Sequence, residues 1–146
     1  MATSTITSDD IRIFMMDKKE LNPLLRGVRF SDDDISRAIN MVVDCYNSTP
    51  PFINPKTPGS FPYRYLLLIG VAGHLLKSAS INQANNELTY SANGVSVDDN
   101  NKAEIFGRIG MQLWGEFKEM VTNIKVAQNI SAAYGSETSE LIYVAM

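Results

Sequence analysis

The chain has 146 residues, a formal net charge of −3, 45% apolar residues and 20% charged residues. That length fits one domain with its own core, and the composition is ordinary for a soluble globular protein. The acidic balance and the lack of a Lys/Arg cluster argue against a general nucleic-acid binder, which needs a basic stripe to neutralise phosphates.

The reactive residue types are few. Cys45 is the only cysteine and His74 the only histidine, which excludes an internal disulfide, a thiolate metal cluster and the common catalytic triads. Both lie in apolar helical patterns, so we interpret them as buried side chains rather than as a nucleophile and a metal ligand or general base. With no phosphate-binding, zinc-protease or nucleophile-elbow motif present, we expect no enzyme, no cofactor and no metal site.

The N-terminal segment has neither the basic nor the apolar stretch of a signal peptide, which predicts folding in a reducing cytosol. The first helix is expected to begin at Ser8 as its N-cap, with Asp9 and Asp10 in the first turn, where the helix dipole favours carboxylates. Its apolar side is expected to contain Ile11, Phe14 and Met15.

A second helix begins more clearly, because Ser31 can cap it and residues 32–34 place three aspartates in its first turn. A cation site is the alternative interpretation of these acids, but the remaining positions of a calcium loop do not follow. The stripe expected to face the core consists of Ile35, Ile39, Val42, Val43 and Tyr46.

Residues 47–60 form a proline-rich loop that can be neither helix nor central strand. Long irregular connections in compact domains are often functional. Phe52 and Ile53 are apolar within it, so we expect them to dock on this subunit or on a neighbour. A proline-rich recognition ligand is the rival interpretation, although no PxxP segment with basic flanks is present.

Residues 61–81 predict the central helix, with Ser60 as N-cap and Pro62 in the first turn. The apolar run of 65–76 has no face suited to water, yet at about 18 Å it is too short for a bilayer core of about 30 Å. Gly70 and Gly73 leave a flat patch that another helix can approach closely.

Residues 87–98 alternate with a period of two around Asn93-Gly94, the strongest short signal for a β-hairpin with a type I′ turn. An isolated hairpin is only marginally stable, so its apolar face needs the bundle or another chain as a partner. That face is expected to contain Leu88, Tyr90, Ala92, Val95 and Val97.

The longest helix is expected to reach about Gln128, with Trp114 either in the core or covering a second neighbour. Its predicted seam contains Phe106, Ile109, Leu113, Phe117, Met120 and Ile124. Residues 129–146 are expected to form an extended arm for a neighbouring subunit or a partner. Its β-prone apolar end contains Leu141, Ile142, Tyr143, Val144 and Met146.

The predicted fold is therefore mainly α: a small bundle of about four helices, with one β-hairpin inserted before the last long helix and an extended C-terminal arm. Residues 1–128 form the bundle, including the hairpin at 87–98 and the loop at 47–60, and residues 129–146 form the arm.

Residues 63–76, 81–84, 88–97 and 112–114 resemble the head-to-tail connector (adaptor, or neck) proteins of tailed bacteriophages. The resemblance covers roughly residues 30–125. It lies in the order of the segments and in their general residue character. It implies a ring, typically of twelve subunits, beneath the portal. The ring would extend the DNA channel and present a surface to the next neck or tail protein.

The implied partners are further copies of the chain, the portal protein and the next neck or tail protein. DNA would only pass through the channel without specific binding, and no membrane partner is implied. The implied location is the virion neck, assembled in the host cytoplasm. A small cytoplasmic protein-binding module or regulator, or a tail-completion or capsid-associated component, is the alternative. The candidate interface residues are Leu88, Tyr90, Asn93, Gly94, Val95, Val97, Phe52, Ile53, Leu141, Ile142, Tyr143, Val144 and Met146.

Overall fold

The computed structural model describes residues 5–22, 27–85, 89–92, 95–98 and 101–134. Four α-helices lie in this part of the chain: α1 (Ser8–Met15), α2 (Asp32–Asn47), α3 (Arg64–Asn85) and α4 (Asn101–Tyr134). A 3-10 turn, Lys19–Leu21, follows α1, and two short strands, β1 (Thr89–Ala92) and β2 (Val95–Asp98), lie between α3 and α4.

Helix α3 is the centre of the fold, as its apolar sequence predicted. α4 makes the most extensive contact with α3, and α2 and α1 also pack against α3. Apolar side chains are buried all round the helix, which is why no face of it carries the usual polar stripe. They include Leu66, Leu67, Ile69, Val71, Ala72 and Leu75.

The predicted fold class is wrong. Among the described residues α4 makes its extensive contacts with α3, and Phe117 and Val121 of α4 belong to the same buried core as residues of α1, α2 and α3. β1 and β2 pair with each other, yet neither packs extensively against a described helix. The fold is therefore four helices assembled around α3, in which the paired strands are not built into the helical core and residues 129–134 continue α4 instead of forming an extended arm.

The backbone of β1 and β2 is antiparallel. Tyr90 lies opposite Val97, and Ala92 lies opposite Val95. The predicted apolar face of this segment stays a prediction, and Leu88, Asn93 and Gly94 lie outside the described residues.

The beginnings of the helices follow side-chain chemistry. Ser31 caps α2 as predicted, and its hydroxyl accepts from the backbone N–H of Asp34 while the Asp34 carboxylate accepts from the backbone N–H of Ser31. Thr7, not Ser8, caps α1, because only Thr7 has a carboxylate three residues later, Asp10, to complete the same reciprocal pair.

The predicted cap of α3 is also wrong. α3 begins at Arg64, and its first backbone bond runs from the N–H of Leu67 to the carbonyl of Tyr63. The Ser60 hydroxyl is already used, since it accepts from the backbone N–H of Thr57 at 2.9 Å and so closes a turn within the loop.

The predicted apolar stripe of α2 is confirmed, and all five side chains are buried. The seam of α4 is only partly right. Phe117 is buried, but Ile109 and Met120 are exposed, and Val121 and Lys125 occupy buried positions instead. α4 therefore faces α3 with a stripe rotated from the predicted one.

Candidate interaction surface

The proline-rich loop is held in place at several points. The side-chain amide of Asn47 bridges to Lys56, donating to its carbonyl at 2.7 Å and accepting from its N–H at 2.8 Å. Thr57 and Ser60 close a turn, and the backbone of Thr5 donates to the carbonyl of Pro58. These bonds satisfy backbone groups that a segment without helix or strand would leave open.

Lys125 attaches the same loop to α4. Its ammonium donates to the carbonyl of Pro51 at 3.1 Å and lies 4.3 Å from the centroid of the Tyr46 ring. Only 2% of Lys125 is exposed. Burial lowers the pKa of this ammonium, and the nearby charge of Lys56 lowers it further. The cation is therefore part of the packing between loop and helix.

Tyr46 and Gln128 complete this anchor. The Gln128 amide donates to the Tyr46 hydroxyl at 3.0 Å, and the Tyr46 ring meets Phe61 edge to face at 5.0 Å. The Oε1 atom of Gln128 is buried and has no hydrogen-bond partner among the described residues. Tyr46 therefore contacts both α4, through Gln128, and Phe61 directly after the proline-rich loop.

Phe52 lies in this anchored loop, yet 74% of it is exposed. Ile53, its neighbour, is half-buried. Of the two predicted interface residues in the loop, only Phe52 is left largely uncovered by the described chain. An aromatic side chain on a restrained loop offers contact area with little conformational entropy to lose.

A separate apolar groove lies between α1 and the beginning of α3. It has a volume of about 460 Å³, and one ion pair crosses its rim, from Arg64 to Asp10 at 3.8 Å. Hydrogen bonds from the backbone and the hydroxyl of Thr7 lower the pKa of the Asp10 carboxyl. The apolar groove is lined by Ile6, Asp10, Ile13, Phe14, Arg64, Tyr65 and Leu68.

The sequence did not point to this groove. Ile11 of α1 is buried as predicted, but Phe14, assigned to the same apolar side, is exposed, as is Ile13. Tyr65, read as part of an all-apolar helix, is 60% exposed. The only available signal was that α1 carries more apolar residues than one helical face can bury.

The last turns of α4 form a third uncovered surface, here called the α4 end. Every residue from 129 to 134 is exposed in the described chain, although the segment is helical. Val126, Ile130 and Tyr134 follow one another at four-residue spacing and are all exposed, so they share one side. The predicted arm is therefore wrong over 129–134, while Leu141, Ile142, Tyr143, Val144 and Met146 lie outside the described residues.

His74 and Cys45 are both only partly buried. His74 is half-buried rather than buried, 6.3 Å from the Trp114 ring, and burial lowers the pKa of its imidazole, with a smaller effect from Lys77. Cys45 is half-buried, and burial raises the pKa of its thiol, which disfavours the reactive thiolate. The described residues contain no cluster of His, Cys, Asp and Glu that could hold a metal ion.

Trp114 lies between α3 and solvent. It is half-buried, its ring stacks on Phe117 at 4.9 Å, and the Lys77 ammonium lies 5.0 Å from its ring centroid. The sequence leaves open whether Trp114 lies in the core or covers a second neighbour. These contacts favour a position at the edge of the core.

Comparison with protein-family models, with curated proteins and with solved structures finds no match to this chain. Within the described part of the chain, every helix is too short or too polar to cross a membrane. Three apolar surfaces of the described chain are uncovered: Phe52, the apolar groove and the α4 end.

Proposed function

We propose that this chain is a structural protein of the neck of a tailed bacteriophage, where copies form a ring that joins the portal to the tail and extends the DNA channel. Its partners are then further copies, the portal protein and the next neck or tail protein. The proposal is supported by the resemblance of residues 30–125 to head-to-tail connector proteins and by the uncovered apolar surfaces.

The observation that carries the proposal is that one chain has uncovered apolar residues in separate places: Phe52 in the proline-rich loop, the apolar groove beside α1, and the α4 end. Gly73 faces α4, whereas Tyr65 and Leu68, roughly 80° and 140° around the helix axis from Gly73, line the apolar groove beside α1. A contact between two unlike surfaces of identical chains is heterologous, and it generates a closed ring when the rotation per subunit closes.

The α4 end is a helical segment without packing in the described chain. A helical segment without packing is marginal in water, since most helix stability in proteins comes from tertiary contacts. Ile130 and Tyr134 extend beyond the described contacts of the fold with their apolar side uncovered. A partner that packs on this side stabilises both the helix and the assembly.

The charge balance fits a conduit. At −3 the chain repels a DNA phosphate backbone weakly, so DNA in the channel of such a ring would slide without being held. A basic lining would bind DNA in a salt-dependent manner and oppose its passage.

Purified protein, alone and mixed with the portal protein of the same phage, is expected to form ring-shaped particles. Negative-stain images and light scattering check this, and a mass many times that of one chain is the expected result. Particles that stay single with every partner would contradict the proposal and favour a cytoplasmic binding module.

Deletion of residues 141–146 tests the part of the proposal that concerns the arm. We propose that this apolar segment anchors the ring on the portal or on an adjacent subunit. The truncated chain is expected to keep its helical circular-dichroism spectrum and to bind the portal at least tenfold more weakly in a pull-down titration. Unchanged attachment would remove the arm from the mechanism.

A further inference from the structure

A cavity of about 380 Å³ lies between α2 and the C-terminal half of α3, and it shares no lining residue with the apolar groove. Its lining residues recur at helical spacing, so one face of α2 and one face of α3 form its walls. A cavity of this size is at the small end of the range that binds organic molecules. The cavity has an apolar floor of buried side chains, namely Phe30, Ala38, Leu75 and Ala79.

Arg29 is a cation of this cavity that has no carboxylate partner in the described chain. Its side chain is half-buried, and its guanidinium lies 4.8 Å from the centroid of the Phe106 ring. No ion pair of the described residues involves it, and Asp17 accepts from its backbone N–H, not from its guanidinium. A partly buried charge without a partner is costly. The planar guanidinium matches the two oxygens of a carboxylate, which would supply that partner.

The other charged groups of the cavity limit what can bind. Arg37 is already paired through its Nε with Asp33 at 2.8 Å. Hydrogen bonds from Ser31 lower the pKa of the Asp34 carboxyl, so this lining residue is negative at neutral pH. Burial lowers the pKa of the His74 imidazole, so it adds no positive charge at neutral pH. One negative charge on a ligand therefore finds a partner, whereas a second one would meet Asp34.

We propose that the cavity between α2 and α3 binds a small monocarboxylate, whose carboxylate pairs with Arg29 and whose apolar body packs on the buried floor. Aryl- and alkyl-carboxylates combine one negative charge with an apolar body in this way. A few placed polar groups on apolar walls are the usual composition of a small-molecule site. This site goes beyond the proposed assembly and does not depend on it, since all its residues belong to one chain.

Binding of 4-phenylbutyrate to the full chain tests the site, and ligand-observed NMR follows it whatever the size of the assembly. The dissociation constant is expected in the millimolar range or below. 4-Phenylbutyramide is the matched neutral control, because it keeps the apolar body and replaces the carboxylate by an uncharged amide. It is expected to bind at least tenfold more weakly. Phenethylmalonate adds a second carboxylate to the same body, and it is expected to bind at least threefold more weakly than the monocarboxylate.

Arg29→Gln removes the charge but keeps the backbone N–H that Asp17 accepts. It is expected to weaken the binding of 4-phenylbutyrate at least tenfold and to leave the binding of the amide nearly unchanged. This difference separates loss of the charge from general damage to the cavity. The matched control is Arg108→Gln, which removes an exposed guanidinium of α4 that is paired with Glu104 at 2.8 Å. It is expected to change binding less than twofold.

Met41→Glu tests the cavity without altering Arg29. Met41 lines the cavity and is 58% exposed, so a carboxylate at this position can be hydrated. The unfolding midpoint is therefore expected to change little. The added negative charge is expected to weaken the binding of 4-phenylbutyrate at least threefold and to affect the amide less.

Three results would overturn this assignment. Equal affinity for the acid and the amide would show that the cavity does not recognise the carboxylate. An Arg29→Gln variant with unchanged unfolding midpoint and unchanged affinity would place the ligand elsewhere. Lack of binding of both probes would show that the cavity does not accept this class of molecule. Negative-stain images measure ring formation separately, so the failure of this site and the failure of the proposed assembly are distinguishable.

Discussion

Replacing Asp17 by Ala is expected to lower the free energy of unfolding by about 3–5 kcal/mol, because a buried charged group loses its partner. Asp17 is 6% exposed and holds together the connection from α1 to α2. Its carboxylate accepts from the Asn22 amide at 2.8 Å and from the Arg12 guanidinium at 3.2 Å. It also accepts from the backbone N–H groups of Arg29 at 2.7 Å and Phe30 at 3.0 Å.

The loss is large because each of these donors is left without its acceptor. Removal of one partner of a buried network costs the full desolvation of the groups that remain. Arg12 keeps only its exposed contact with Asp32 at 2.8 Å. The backbone donors of Arg29 and Phe30 have no side chain of similar shape to replace the carboxylate.

Urea denaturation measures this effect as a shift of the midpoint at constant slope. The matched control is Asp33→Ala, which removes an exposed carboxylate paired to Arg37 at 2.8 Å on the surface of α2. That pair is solvent-exposed, so the control is expected to change stability by less than about 0.5 kcal/mol. A loss below about 1 kcal/mol for Asp17→Ala would show that the loop is held by other contacts.

The burial of Asp17 could not be predicted from local sequence patterns. Local patterns predicted Ser31 as the cap of α2 and the buried stripe that follows, because these depend on neighbours three or four residues apart. The partners of Asp17 include backbone groups 12 and 13 residues away, in a segment with no periodic signal. A single aspartate after an apolar run gives no indication that it will be buried.

Helix α4 shows a second kind of error. Asn129 and Ser131 were interpreted as loop residues, although Ala132, Ala133 and the spacing from Ile130 to Tyr134 are compatible with a helix that runs to Tyr134. The predicted seam omits Lys125, which is buried. Its spacing of four from Val121 places it on the packed side, where its ammonium finds Pro51 and Tyr46.

The candidate site was predicted only in part. Phe52 was singled out because an apolar residue in a proline-rich loop needs a partner. The apolar groove could not be predicted, since it arises where α1 crosses the beginning of α3 and leaves Ile13, Phe14 and Tyr65 uncovered. Helix crossings depend on contacts between distant segments, and no local period encodes them.

Replacing Gly73 by Ala is expected to destabilise the protein by about 1–3 kcal/mol, even though Ala is the better helix former by about 1 kcal/mol. At this position α3 and α4 approach backbone to backbone. A Cβ on Gly73 would lie 2.9 Å from the backbone nitrogen of Trp114 and 3.2 Å from the carbonyl oxygen of Gly110. Backbone atoms cannot rotate away as a side-chain end can, so the two helices must separate.

The same chain offers the opposite case. Gly115 is also in α4, but a Cβ there would meet nothing within 4 Å among the described atoms. Gly115→Ala is therefore expected to raise the free energy of unfolding by about 0.5–1 kcal/mol, the ordinary gain on replacing glycine inside a helix. Thermal and urea unfolding of the two variants, which differ only in position, should shift in opposite directions.

The sign of the Gly73 result decides how tightly α4 is fixed on α3. A stabilised Gly73→Ala variant would mean that the helices slide or separate easily and that the close approach is not required. A destabilised one means that α4 is held against α3 at Gly73 and Gly110. The direction in which the α4 end extends from the fold is then set by this crossing, so the variant should also weaken any assembly that depends on Ile130 and Tyr134.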